Sequence, residues 1–148
     1  MKKVSTFCIS FVAFMMIVGC SKEYRTYKKI LGDYTLTTYT VNGVDSLSSY
    51  KDSLGTSFKF YLRDKDKNYI WEISGQRNDG KEKYLGWYWE LNSGSILHVF
   101  EAYGNGVIGI GPLGNYAPLD WEILNLTKKE LKMKTTWNGK EYVVNLEK

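Results

Sequence analysis

The sequence predicts an all-β fold, an eight-stranded antiparallel up-and-down barrel that follows an N-terminal signal peptide. Composition is the first observation behind this expectation. The 148 residues include 12 Tyr and 5 Trp, which suit a pleated, half-buried surface. Beyond the first twenty residues, the strong helix former alanine occurs only at Ala102 and Ala117. Residue alternation and turn chemistry are the other two observations.

Eight segments alternate between apolar and polar residues, as a half-buried strand does. In 33–41 the residues Tyr34, Leu36 and Thr38 fall on one face, whereas 95–103 is apolar on both faces and its orientation is left open. The predicted strands are 33–41, 57–63, 68–74, 84–91, 95–103, 118–126, 130–137 and 141–147.

Short turn sequences separate most of these segments. Asn138–Gly139, for example, supplies the positive φ angles of a tight hairpin. Short connections make sequence neighbours pair antiparallel, and eight such strands close into a barrel that has no free edge. A two-sheet sandwich is the alternative. Two connections are long, 42–56 and 104–117, and both are expected to be loops.

The N-terminus has the pattern of a secretory signal peptide. Two lysines precede an apolar run at 7–18, which is too short for a bilayer-spanning helix. The run ends in Ile17-Val18-Gly19-Cys20, which resembles the lipobox of bacterial lipoproteins, where the cysteine sulfur receives diacylglycerol. An ordinary signal peptide with a stray cysteine is the alternative.

This resemblance implies three parts of the chain. Residues 1–19 are the signal peptide, 20–29 are a lipidated N-terminus and tether that starts at Cys20, and 30–148 are the barrel domain. The implied location is the cell envelope, lipid-anchored in the outer membrane at its periplasmic face or at the cell surface. Since Cys8 leaves with the signal, the two cysteines form no structural disulfide.

A glycine-rich stretch raises the question of nucleotide binding. Gly104, Gly106 and Gly109 have the G-x-G-x-x-G spacing of a dinucleotide loop. Such a loop needs a following helix to meet the phosphates, and Pro112 and Pro118 prevent one. Basic and acidic residues number 20 and 16 and are mostly scattered, so a nucleic-acid partner is not expected either.

The sequence contains few residues in a pattern that favours catalysis. His98 is the only histidine, and without a second histidine or a free cysteine it is expected to be a residue of the barrel wall rather than a metal ligand. Folding would have to bring together Glu72, Glu90 and Glu101 to make an acid site. The sequence therefore predicts a protein that is not an enzyme, with no metal and no cofactor.

Two segments resemble the lipocalin-like lipoproteins of Bacteroidota. These are "ILGDYTLTTYTVNG" near the start of the barrel and "WEILNLTKKELKMKTTWNGKEYVVNLEK" at its end. The family usually opens with G-x-W, and in typical lipocalins an arginine near the C-terminus packs across that Trp ring. Here Tyr34 replaces the Trp, and no arginine lies near the C-terminus. The resemblance implies an eight-stranded barrel.

Aromatic side chains on the inward faces give two functional hypotheses. They line a cavity for a small apolar or amphipathic ligand, or they fill the barrel. In the second case the protein works through an envelope protein partner, as an inhibitor, immunity-type lipoprotein or complex subunit, and the two long loops make the contact. A continuous cavity would favour the first hypothesis, and closed packing the second. The candidate lining residues are Tyr34, Phe60, Trp71, Trp87, Trp89 and Trp121.

The tripeptide Asp-Ser-Leu occurs twice in the first long connection, around Ser46 and Ser53. It is similar to the acceptor pattern for O-glycosylation in Bacteroidota, which implies two candidate modification sites. Local turn chemistry of Asp and Ser is the alternative.

Overall fold

One antiparallel sheet contains all the strands of the computed structural model, which describes residues 24–54, 57–63, 68–76, 82–104, 111–114 and 117–148. The strands are β1 (Gly32–Val41), β2 (Val44–Asp45), β3 (Ser57–Arg63), β4 (Asn68–Gln76), β5 (Glu82–Asn92), β6 (Ile96–Gly104), β7 (Leu119–Leu126), β8 (Glu130–Trp137) and β9 (Lys140–Glu147). Helix α1 covers 24–30, α2 covers Leu47–Leu54, and a 3-10 turn covers Pro112–Gly114.

The sheet closes on itself through β1. The strand order is β2-β1-β3-β4-β5-β6-β7-β8-β9, and β1 also pairs with β9. Gly32–Thr35 pair with β3, whereas the stretch from Thr35 to Val41 pairs with β9. The eight long strands therefore form a closed up-and-down barrel, the topology of lipocalins, to which β2 adds a two-residue hairpin. The predicted eight-stranded antiparallel up-and-down barrel is confirmed.

All eight predicted strands are present. The bounds of β3 and β8 agree with the prediction to the residue, and the others differ by one or two residues. In β6, whose orientation the sequence left open, Leu97 and Val99 are buried in the core, and His98 between them lies on the outer wall.

Bulges change which residues face inward. In β1 the pairing with β9 skips Thr37, so the side chain that enters the core beyond Leu36 is Tyr39 and not Thr38. The expectation for Thr38 is therefore wrong, because one extra residue reverses the alternation that follows it. In β6 the pairing with β5 skips Glu101, which has a φ of 42°.

Helix α1 closes one end of the barrel, which we call the base. Ile30 is fully buried, and the Tyr27 ring stacks 4.5 Å from Tyr69 and 5.5 Å from Trp89. The Tyr27 hydroxyl accepts a hydrogen bond from the amide of Leu91 at 3.1 Å. The expected tether 20–29 thus includes a helical segment that packs on the barrel.

Lys148 joins the base to the last strand. Its Nζ donates hydrogen bonds to the carbonyls of Lys29 (2.9 Å) and Leu31 (2.8 Å), and it lies 5.0 Å from the centroid of the Tyr34 ring. Its side chain crosses Gly32, where a Cβ atom would come within 2.8 Å of Lys148 Cε. Lys148 thereby attaches the end of β9 to α1 and to the Tyr34 ring.

Helix α2 lies at the other end of the barrel, the mouth, because β1 runs between α1 and α2. The connection 42–56 was expected to be a loop, but it contains β2 and this helix. Neither helix of the described residues has the length and apolar character needed to cross a bilayer.

Candidate ligand site at the barrel mouth

Four predicted Trp residues occupy the centre of the barrel, where the Trp71 ring contacts two of the others. Each is only 1–2% exposed. The Trp71 ring centroid lies 5.7 Å from that of Trp87 and 5.6 Å from that of Trp121, in tilted and edge-to-face geometry. Trp89 packs against Tyr27 of α1. The rings were correctly expected to face inward, and their closed packing favours the hypothesis of a filled centre.

Two further predicted lining residues lie elsewhere. Tyr34 is buried at the base, where its hydroxyl donates to the Lys29 carbonyl at 3.0 Å. Burial raises the pKa of Tyr34. Phe60 lies in β3 opposite Trp71, and its side chain is outside the described residues.

A second aromatic layer lies at the mouth. Tyr39 of β1 and Tyr50 of α2 stack with ring centroids 4.6 Å apart. Tyr142 lies 6.0 Å from Tyr39, and Trp137 lies 6.2 Å from Tyr142. Sequence reasoning missed Tyr39 because of the bulge and Tyr50 because its segment was read as a loop.

The polar groups of this layer include the hydroxyls of Tyr39 and Tyr50. Both oxygens are buried, and no described residue forms a hydrogen bond with them. Burial raises the pKa of both phenols; Tyr142 contributes at Tyr39, and Tyr39 contributes at Tyr50. A buried hydroxyl without a hydrogen bond costs about 1–3 kcal/mol. The mouth therefore offers two hydrogen-bonding groups inside an aromatic surface.

Two short segments cover this layer, and together we call them the lid: α2 and residues 111–114. Ser46, which precedes α2, attaches the lid to β1 because its amide donates a hydrogen bond to the Tyr39 carbonyl at 2.8 Å. Leu113 is 1% exposed and joins the core. Gly111 has a φ of +65°, and a Cβ atom there would overlap the Tyr39 hydroxyl and come within 3.3 Å of the Tyr142 ring.

The remaining predicted sites lie outside the mouth or outside the described residues. Cys20 belongs to the latter. Ser46 is partly exposed, and Asp45 Oδ1 beside it accepts a hydrogen bond from the Leu47 amide at 2.9 Å, which is the local turn chemistry considered as the alternative. Ser53 lies in α2, with its side chain outside the described residues. Glycosylation of these two serines stays a prediction.

The outer wall holds the residues that were considered for catalysis. His98 Nδ1 lies 2.5 Å from Asp120 Oδ1, next to a polar outer cleft of about 290 Å³. Glu90 and Glu101 are exposed. Glu90 lies four residues along β5 from Gly86, the partner of Glu72, which is about 13 Å. In the described part of the chain, no group of three or more His, Cys, Asp or Glu side chains could hold a metal ion.

Comparisons with known proteins bear on the fold. No protein-family model matches the sequence, and neither does any curated protein. A redesigned β-barrel matches with a TM-score of 0.50 and 12% identity over 84% of this chain and 95% of that one. A lipocalin-like protein from Bacteroides uniformis has a TM-score of 0.47 and 10% identity over 78% and 96% of the two chains. An uncharacterized protein from Bacteroides eggerthii has a TM-score of 0.43 and 14% identity over 78% and 97%. At these identities the likeness concerns the fold alone.

Proposed function

We propose that this protein is a non-catalytic lipoprotein, anchored in the outer membrane by lipid on Cys20, that binds a small amphipathic ligand at the barrel mouth. An eight-stranded barrel of this topology has room for side chains or for one small ligand. The observation that carries the proposal is the pair of buried hydroxyls of Tyr39 and Tyr50 beneath a lid.

The mouth supplies both parts of such a site. Tyr142 and Trp137 offer aromatic surface to the apolar part of a ligand, and the two phenol hydroxyls reach a polar group. The contacts of the Trp71 ring with Trp87 and Trp121 in the centre favour a position for the ligand nearer the mouth. The site is thus a shallow one between the Trp cluster and the lid.

Ligand entry requires the lid to open. Helix α2 has eight residues, and helices this short are marginal in water without tertiary packing. Among the described side chains of α2, Tyr50 is buried in the core, and Leu47 packs against it. Release of the Tyr50 ring therefore frees the α2 part of the lid without breaking the barrel sheet.

Native mass spectrometry of the mature protein from its own host tests the ligand. We expect one small molecule to remain bound reproducibly, and to be lost when Tyr39→Phe and Tyr50→Phe remove the hydroxyls. Tyr24→Phe is the matched control, because Tyr24 is 58% exposed at the base. The absence of a bound molecule, or full retention by the double variant, would contradict the proposal.

Membrane fractionation tests the anchor separately. The wild-type chain is expected in the membrane fraction, and Cys20→Ser is expected to release it, because one lipidated cysteine carries the attachment. Retention of Cys20→Ser in membranes washed at about 1 M salt, which screens charge attraction, would count against lipid anchorage at this position.

A second candidate function is contact with an envelope protein. Beyond the filled centre, an aromatic cluster on the outer wall favours it: Phe100 lies 6.2 Å from Tyr88 and 5.9 Å from His98, and Tyr103 lies 5.8 Å from Tyr88. Aromatic residues are enriched in protein interfaces. Phe100→Ala would then abolish recovery of a defined partner from the host, whereas Leu124→Ala, elsewhere on the wall, would not. Under the ligand proposal, Phe100→Ala leaves the bound molecule in place.

A further inference from the structure

The base of the barrel has a basic surface that the proposed ligand site does not use. Five cationic side chains surround a cleft of about 360 Å³. They come from α1, from the turn between β7 and β8, and from the residue that follows β9. We call this set the basic base: Arg25, Lys28, Lys29, Lys128 and Lys148.

The positive charge of the basic base is not neutralised within the described residues, where no carboxylate forms an ion pair with any of the five. The two nearest acids in sequence to Lys128 and Lys148 have other partners. Glu130 accepts a hydrogen bond from the Asn125 amide at 2.9 Å, and Glu147 accepts one from Asn145 at 3.2 Å. Among the described residues, the basic base therefore presents a positively charged surface that attracts anions.

The position of the basic base relative to the anchor identifies the anion. Four residue steps separate Cys20 from Tyr24, a distance of at most about 14 Å for an extended chain. If Cys20 carries lipid, α1 lies close to the membrane surface. Its distance from that surface is then comparable with the Debye length of about 8–10 Å, beyond which salt screens the attraction between charges. A site for a free soluble anion would not need to lie next to the lipid anchor, whereas a site for membrane headgroups would.

An exposed aromatic side chain on the same surface supports a membrane contact. Tyr24 is 58% exposed, and Lys28 Nζ lies 4.6 Å from the centroid of its ring. Tyrosine and lysine both suit the boundary between headgroups and water, because each combines an apolar body with a polar end. Charge and aromatic character thus coincide at the base.

We propose that the basic base binds the phosphate headgroups of an anionic phospholipid surface. The barrel then stands with its base on the membrane and its mouth directed away from it. The placement rests on the proposed lipid anchor, whereas the headgroup affinity is a property of the folded domain itself. Each basic residue near an anionic surface strengthens binding roughly five-fold.

Vesicle binding by the mature chain with Cys20→Ser tests this affinity without the anchor. We expect binding to vesicles of phosphatidylcholine and phosphatidylglycerol in a two-to-one ratio, and none to phosphatidylcholine alone. Lys28→Gln with Lys128→Gln should weaken binding about 25-fold, at five-fold for each lysine. Lys148 is left intact, because its hydrogen bonds hold α1.

Lys134→Gln with Lys140→Gln is the matched control. It removes the same charge from the mouthward half of the wall, where Lys134 faces Val143, and from the mouth itself, and it should leave vesicle binding within about two-fold of wild type because those positions lie away from the base. Equal weakening by both pairs would overturn the proposal, since attraction would then follow net charge alone. Binding of inorganic phosphate without binding of anionic vesicles would also overturn it.

The anchor and the headgroup site can fail independently. If the Cys20→Ser chain does not bind anionic vesicles but is released normally from host membranes, the proposed headgroup site is rejected and the lipid anchor is not. Normal vesicle binding by a Cys20→Ser chain that host membranes still retain at about 1 M salt, where charge attraction is screened, would reject the lipid anchor alone.

Discussion

Lys148 Nζ lies 5.0 Å from the centroid of the Tyr34 ring and bridges the carbonyls of Lys29 and Leu31. A cation at this position satisfies carbonyls that the C-terminus of α1 leaves without helical partners. Tyr34 donates its hydroxyl to the same Lys29 carbonyl. The end of the last strand is thereby attached to the helix that closes the base.

Lys148→Met is therefore expected to lower the free energy of unfolding by about 2 kcal/mol, because it removes hydrogen bonds from a charged donor. Lys148→Arg restores a cationic donor and should recover more than half of the loss. Urea denaturation at neutral pH measures both. An unchanged midpoint for Lys148→Met would show that the carbonyls are satisfied equally well by water.

The strands could be predicted from the sequence because alternation is a local signal. In β5, Leu85, Trp87, Trp89 and Leu91 recur at every second position, and all four are buried. The bulge at Thr37 could not be predicted, since nothing local marks where a strand gains a residue relative to its partner. Its consequence is the entry of Tyr39 into the core.

Helix α2 is a different case. Its sequence LSSYKDSL has few apolar residues, and its described contact with the core rests on Leu47 and Tyr50. Tertiary packing stabilises this helix, so the local sequence pattern predicted a loop.

For the candidate site, the inward direction of the Trp rings could be predicted from the alternation of residues. Their closed packing could not, because it depends on distances between strands, about which sequence periodicity carries no information.

The two mouth hydroxyls make an unusual stability prediction. Tyr39→Phe and Tyr50→Phe should each raise the free energy of unfolding of the ligand-free protein by about 1 kcal/mol, because they remove a buried polar group that has no described partner. Thermal and urea unfolding of ligand-free protein measure this gain. A loss of stability instead would mean that each hydroxyl is paired in the folded protein.

Alkaline pH should weaken the fold through the same phenols. Burial raises the pKa of Tyr39 and Tyr50 above the ordinary value of about 10. Above that pH the unfolded chain loses phenol protons that the folded chain keeps, so the free energy of unfolding falls as pH rises. Below pH 10 this stabilisation is fully present.

The decline is measured by urea unfolding between pH 9 and pH 12, with phenolate absorbance recorded in parallel. The double variant with Tyr39→Phe and Tyr50→Phe should show a shallower decline, and Tyr34 accounts for part of what remains because burial raises its pKa as well. Equal slopes for the wild type and the double variant would be inconsistent with these pKa shifts.

The Trp cluster should dominate the stability of the barrel. Trp71→Ala is expected to lower the free energy of unfolding by about 3–5 kcal/mol, since the ring contacts Trp87 and Trp121 and leaves a cavity when removed. Trp137→Ala at the mouth should cost less, because Trp137 is only partly buried. Urea denaturation followed by circular dichroism measures the two variants, and equal costs would argue against a closed centre.

Gly111 and Tyr39 should be energetically coupled across the lid. Gly111→Ala adds a Cβ that would overlap the Tyr39 hydroxyl, and it does so at a residue whose φ is +65°. We expect this strain to lower the free energy of unfolding by about 1–3 kcal/mol. Tyr39→Phe removes the overlapping oxygen, so the double variant should be more stable than the sum of the single effects predicts. A double-mutant cycle by urea denaturation measures this coupling. The strain of the positive φ at residue 111 persists in the double variant, which should therefore regain only part of the stability that Gly111→Ala loses. Strict additivity would mean that the segment 111–114 moves away from Tyr39, and hydrogen exchange at Leu113 would then rise in Gly111→Ala.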